Sequence, residues 1–152
     1  MRTYALGAIL GLAMAAMSPL AANAQDDMAQ VEIKVEAVAE GVYALFGAGG
    51  NIGLAVGEDA SFLVDAQFAP LTAKIQAAVA TVTDRPVDFV VNTHWHFDHV
   101  GGNENLGKAG ALIVAHDNVR KRMSSPQEIK ALGRKVPPSP DAALPVVTFS
   151  DT

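Results

Sequence analysis

Three of the four histidines in this 152-residue chain fall within six positions, in the run His94-Trp95-His96-Phe97-Asp98-His99. Treating positions as independent, such a pattern arises by chance on the order of once in several thousand chains of this composition, so coincidence is a poor account. The chemistry explains the spacing. Two imidazoles two residues apart at the end of a strand lie on one face and reach one cation. Asp98 and His99 follow where the chain leaves the strand, at Val100-Gly101-Gly102-Asn103, and can turn toward a second cation beside the first. The bland alternative is a set of surface histidines or a satisfied polar cluster. A buried strand has little reason to end in four metal-competent groups that go unused. The chain has no cysteine, which excludes disulfides, thiolate nucleophiles and cysteine-ligated metals. Imidazole and carboxylate donors suit zinc, with iron or manganese as alternatives.

Composition frames the elements that must carry this cluster. Half the residues are apolar, 18% are charged and the formal net charge is −5. That is a globular chain of one domain. An acidic balance, with no basic run longer than Arg120-Lys121-Arg122, gives no footprint for a nucleic-acid partner. The start reads as a removable leader: Arg2, the uncharged stretch from Tyr4 to Met17, and the small-x-small site Ala22-Asn23-Ala24. Fourteen apolar residues are too few for the roughly 20 of a membrane span. The expectation is a signal peptide over residues 1–24, a mature part over 25–152 without a stable membrane anchor, and a secreted or periplasmic location.

In the mature part, alternation predicts a strand over Val31–Val38, followed by Gly41–Phe46, Asn51–Val56 and Ser61–Val64, an antiparallel meander with glycine turns. Leu71, Ile75, Ala78, Val79 and Val82 recur at helical spacing over Pro70–Thr83. Val87–Val91 reads as a buried strand running into the histidine cluster, and Leu112–Ala115 repeats that pattern before a helix over Asn118–Met123. A second short helix is expected over Gln127–Leu132, then a proline-rich loop and a strand from Val146 to Phe149. The fold class is α/β with a mixed sheet. The basic run Arg120-Lys121-Arg122 reads as a solvated helix face, Gly101 and Gly102 as turn residues, and Trp95 and Phe97 as core or site walls. Gly47–Gly53 lacks both the third glycine and the following helix of a dinucleotide fingerprint.

The segment Thr93-His94-Trp95-His96-Phe97-Asp98-His99-Val100-Gly101-Gly102-Asn103 resembles the signature loop of the metallo-β-lactamase-fold hydrolases. Supporting matches are Gly49-Gly50-Asn51-Ile52-Gly53, Phe62-Leu63-Val64-Asp65 and Ala115-His116 with its following helix. The resemblance implies an αββα sandwich with the metal site at one edge. It implies that His94 and His96 ligate one zinc and Asp98 and His99 a second, and that Asp65 supports the metal loop from behind, against the alternative of a turn or helix-capping aspartate. His116 is read as structural or capping. The binuclear form implies a metal-activated hydroxide as nucleophile, with Asp98 orienting it, on a small-molecule ester, thioester, lactone or β-lactam. An iron-dependent redox member of the same fold and a non-catalytic metal-binding accessory protein are the alternatives. The family's domain is considerably longer than residues 25–152, so the resemblance implies that its first half is present, truncated at the C-terminus and inactive alone, with a histidine, an aspartate and a histidine still to come.

Overall fold

The computed structural model describes residues 28–151; the expected signal peptide lies outside them. Strands β1 (Lys34–Ala39), β2 (Val42–Phe46), β3 (Ile52–Val56) and β4 (Ser61–Val64) form the antiparallel meander that the alternation predicts. A 3₁₀ turn at Ala69–Leu71 leads into helix α1 (Thr72–Val79), which is shorter than the periodicity suggests because Pro70 sits in the 3₁₀ turn and the residues after Val79 form only turns. β5 (Phe89–Asn92) and β6 (Leu112–His116) then add in parallel to β4, with α2 (Phe97–Val100) and α3 (Asn103–Lys108) between them. α4 (Asp117–Met123) follows, and β9 (Val147–Phe149) pairs in parallel with β6. The result is a mixed seven-stranded sheet in the order β1-β2-β3-β4-β5-β6-β9.

One expected helix is absent. Gln127–Leu132 does not continue as a helix: β7 (Gln127–Ile129) and β8 (Arg134–Val136) pair as a small antiparallel hairpin around a 3₁₀ turn. Gly133 closes that turn in the left-handed region, at φ 57°, and so lets the chain reverse where a helix was expected to end.

Pleating divides the sheet into two unequal faces. Leu54, Leu63, Val90 and Ile113 stand in one row across β3 to β6, and none is more than 2% exposed. Leu71, Ile75 and Leu106 pack onto this face. Full burial of a side chain of this size contributes about 1.5–3 kcal/mol. The opposite face carries the row Ala55-Phe62-Phe89-Leu112, where Phe62 and Leu112 remain 40% and 45% exposed. The run read as a fully buried strand thus has Val90 buried and Phe89 and Val91 only half-buried. Among the described residues no helix is long and apolar enough to cross a membrane.

Candidate metal centre

The carboxyl ends of three parallel strands place the candidate residues, the usual location of sites in open α/β sheets. Asp65 follows β4, His94 follows β5 and His116 ends β6. His94 and His96 lie beyond the strand, not on its last residues: β5 stops at Asn92, and His96 is the extended residue before α2, at φ −68° and ψ 149°. Asp98 and His99 therefore sit on the first turn of a short helix. This local geometry folds the four groups together. The imidazole centroids of His94 and His96 are 4.7 Å apart, those of His94 and His99 3.9 Å, and His99 Nε2 is 3.4 Å from Asp98 Oδ2.

Asp65 fastens the cluster from behind. It is 4% exposed. Its Oδ1 accepts from the Thr93 backbone N–H at 2.8 Å, and its Oδ2 accepts from Thr93 Oγ1 and from His99 Nδ1, both at 2.7 Å. Asp65 neither caps a helix nor merely closes a turn, and it adopts φ 67°, a conformation that costs a non-glycine residue on the order of 1–3 kcal/mol and persists only where surrounding contacts hold it. With Nδ1 of His99 committed to Asp65, Nε2 keeps its lone pair for a ligand. Thr93 Oγ1 also lies 3.1 Å from His94 Nδ1, which turns Nε2 of that ring outward too. Burial, followed by the neighbouring His99 and His96, lowers the His94 pKa from its ordinary 6.5, favouring the neutral imidazole that can bind a metal.

Two further contacts hold the loop. Asn92, the last residue of β5, and Asn103, the first of α3, are both buried and exchange amide hydrogen bonds at 3.1 and 2.7 Å, closing the segment 93–102 at its base. Asn103 Nδ2 also donates to the Ala143 carbonyl at 3.1 Å. Gln67, buried and at φ 47°, donates from Nε2 to the Gly50 carbonyl at 2.6 Å, tying the glycine turn between β2 and β3 to the site. Gly101 and Gly102 form the turn between α2 and α3, as read; Gly101 has ordinary helical dihedrals, so close packing is what requires glycine there, since a Cβ on it would meet the Gln67 and Phe97 carbonyl oxygens at 2.6 Å.

The donor set fits a hard or borderline cation: nitrogen and oxygen donors, no thiolate, and ring nitrogens oriented by partners behind them. The space also fits. A Cβ at Gly50 would lie 2.5 Å from His99 Cε1 and 2.9 Å from Nε2, so only glycine leaves that nitrogen accessible. Among the described residues no three histidine, aspartate or glutamate side chains converge closely enough to enclose an ion by themselves. His116 stands apart: its Nδ1 accepts from the Asn118 N–H at 3.0 Å, capping α4, and its Nε2 is 2.9 Å from the Ser150 carbonyl. Both nitrogens are occupied, as its capping reading requires.

Sequence reasoning missed Thr93, Gln67 and the Asn92–Asn103 pair. Only Thr93, beside His94, carries a local signal. The basic run of α4 is exposed, as read, and two of its side chains also make contacts: Arg120 donates to the Pro145 carbonyl and the Arg122 guanidinium lies 5.6 Å from the Trp95 ring centroid.

Comparison with known proteins bears on the family and the fold. The profile described as the metallo-beta-lactamase superfamily matches residues 45–150. Among solved structures, the mono-zinc form of the metallo-beta-lactamase FIM-1 from Pseudomonas aeruginosa is 25% identical, with a TM-score of 0.54 over 60% of this chain and 45% of that one. A metallo-beta-lactamase of Cronobacter sakazakii with a HARLDQ motif shares the fold at 21% identity, TM-score 0.64, covering 85% of this chain and 49% of the other. A B3 metallo-beta-lactamase described as the first with an active-site glutamic acid does so at 20% identity, TM-score 0.67, covering 84% and 50%. The chain thus spans about half the length of the solved structures it matches.

Proposed function

From the premise that this chain belongs to the metallo-β-lactamase superfamily, we propose that it carries part of the active site of an exported, zinc-dependent hydrolase with two metal ions. His94 and His96 would hold one ion, Asp98 and His99 the other. The observation that supports this reading is the arrangement behind the ligands: Asp65 and Thr93 occupy the Nδ1 side of His99 and His94, whose rings lie 3.9 Å apart, and leave each Nε2 free of that contact. When bound, zinc supplies Lewis acidity that brings the pKa of water toward neutrality and polarises a substrate carbonyl.

The protein's own contribution is orientation and proton handling. Asp98 is partly exposed beside His99 and can accept a proton from an attacking water and hold that water in line. Asp65 keeps His99 in one tautomer. Trp95 and Phe97 alternate with the ligands and steady the loop by packing, Trp95 against the cluster of Val100, Ala115, Val119 and Met123, and Phe97 5.9 Å from the Phe68 ring. The substrate is a small molecule with a hydrolysable carbonyl: an ester, thioester, lactone or β-lactam. Export through a leader over residues 1–24 favours lactam or lactone substrates over cytoplasmic glutathione thioesters, and amino-terminal sequencing of the exported protein should then read from Gln25. Residues 25–152 supply two ligands per ion, fewer than the three protein ligands of a usual catalytic zinc, so we expect them to be inactive alone.

The test uses the complete protein, purified without chelator. Close to two equivalents of zinc are expected, most of it lost in a His94→Ala, His96→Ala double variant. Unchanged metal content in that variant would overturn the site. Iron in place of zinc would favour a redox member of the fold, and zinc without turnover of any ester, lactone, thioester or lactam would leave a metal-binding accessory protein.

A further inference from the structure

Two guanidinium groups rest on the two aromatic residues that alternate with the candidate ligands. Arg122, on α4, lies 5.6 Å from the Trp95 ring centroid, and Arg134, on the hairpin strand β8, lies 4.4 Å from that of Phe97. Trp95 separates His94 from His96, and Phe97 separates His96 from Asp98, so both cations border the candidate metal loop itself. They belong to a local excess: six of the eleven basic side chains fall between residues 120 and 135, against one acidic residue, Glu128, in a chain whose net charge is −5. The nearby Glu104 is paired with Lys108 at 2.6 Å.

The two arginines differ in how far they are committed. Arg122 reaches Gln127 Oε1 at 3.4 Å and lines a cleft of about 170 Å³ beside Trp95, Phe97, Met123 and Val136. Arg134 is exposed and, among the described residues, its side chain has no hydrogen-bond or ion-pair partner. A guanidinium over an aromatic face keeps its in-plane N–H groups available, and that fork matches the two oxygens of a carboxylate. We propose that Arg134, backed by Arg122, forms an anion-recognising rim on the candidate metal loop, and that the substrate carries a carboxylate which Arg134 positions. This rests on the hydrolase reading above for the word substrate, but the rim itself is a binding site that is testable without turnover. In an acidic protein, a basic patch at this one edge would also draw an anionic ligand toward the site.

The test compares the zinc-loaded complete protein with R134A, R134K and R134E, each checked for equal zinc content and thermal midpoint. Succinate is titrated against the fluorescence of Trp95, the only tryptophan in the sequence, and by calorimetry. R134A should bind succinate about tenfold more weakly, R134E more weakly still, and R134K should recover part of the loss. In parallel, two esters with one leaving group are hydrolysed: the 4-nitrophenyl monoester of succinate and 4-nitrophenyl butyrate. R134A should raise KM for the anionic ester about tenfold while leaving kcat for both, and KM for the neutral one, within about twofold. Equal succinate affinity in wild type and R134A overturns the rim whatever the kinetics show. If wild type hydrolyses neither ester but R134A binds succinate more weakly, the rim stands and only the choice of ester as substrate falls.

Discussion

Asp65 and His99 lie 34 residues apart in sequence and meet through Oδ2 and Nδ1 at 2.7 Å, with the carboxylate almost out of solvent. The same carboxylate holds Thr93, so one side chain fixes both ends of the segment from Thr93 to His99. Replacing Asp65 with alanine leaves the Thr93 N–H and the His99 ring without their acceptor. Zinc affinity of the complete protein, measured by competition with a chromophoric chelator, should fall about 10–100-fold. Asp65→Asn keeps the shape and should lose less. Equal affinity in all three proteins would mean that the loop holds its histidines without Asp65.

The reciprocal amides of Asn92 and Asn103 make a different prediction. Asn103→Leu leaves the buried Asn92 amide unpaired and should cost about 1–3 kcal/mol in denaturant unfolding. The Asn92→Leu, Asn103→Leu double variant removes both partners and should cost clearly less than the two single changes added together. Additive costs would show that the two amides are not coupled.

Gly50 is a test of space. In Gly50→Ala the new methyl group meets the His99 ring at 2.5 Å, so the ring must move. The complete protein should lose about one zinc equivalent, that held by Asp98 and His99, and keep the one on His94 and His96. Gly53→Ala serves as a control, since its Cβ approaches Val64 no closer than 3.4 Å. Retention of both ions in Gly50→Ala would remove His99 from the second site.

His94 should titrate below its ordinary value of 6.5 in the metal-free protein, because it is partly buried and faces two other imidazoles. The folded state then resists protonation that the unfolded chain accepts. Stability should therefore fall as the pH drops from about 6.5 through the folded midpoint, and His94→Gln should flatten that slope. NMR titration of the His94 ring gives the midpoint directly, and a value at or above 6.5 would contradict the packing described for it.

The parts of this structure that could be read in advance are those written in neighbouring residues. Alternation in Val31–Val38, where the strand itself runs Lys34–Ala39, and the glycine turn after Phe46 mark the meander, and the His94–His99 run marks the site, because each signal spans only a few positions. The hairpin at Gln127–Val136 was misread since Pro126 before it and Gly133 after it bracket a helix and a turn equally well, and only strand pairing decides between them. The short helices at Phe97–Val100 and Asn103–Lys108 are too brief and too polar for periodicity to register. Asp65 was legible as a support of the loop only through the family resemblance, which did not name His99 as its partner. Asp65 with His99, Asn92 with Asn103, and Gln67 with Gly50 are pairs made by the fold, and nothing in the local sequence of either member names the other.

The order of strands has a consequence for how the site comes into being. From β1 to β6 each strand lies beside its predecessor in the chain, so none has to be inserted between two that are already paired. The antiparallel pairings of β1 to β4 close short turns and form quickly, whereas β5 and β6 join in parallel only after longer connections have been closed. In a chain that emerges amino-terminus first, the sheet can grow by addition at one edge, and Asp65 stands at the end of β4 before β5 delivers His94 and His99 to it. The anchor precedes what it anchors: the histidine loop meets a waiting acceptor and does not have to search for one.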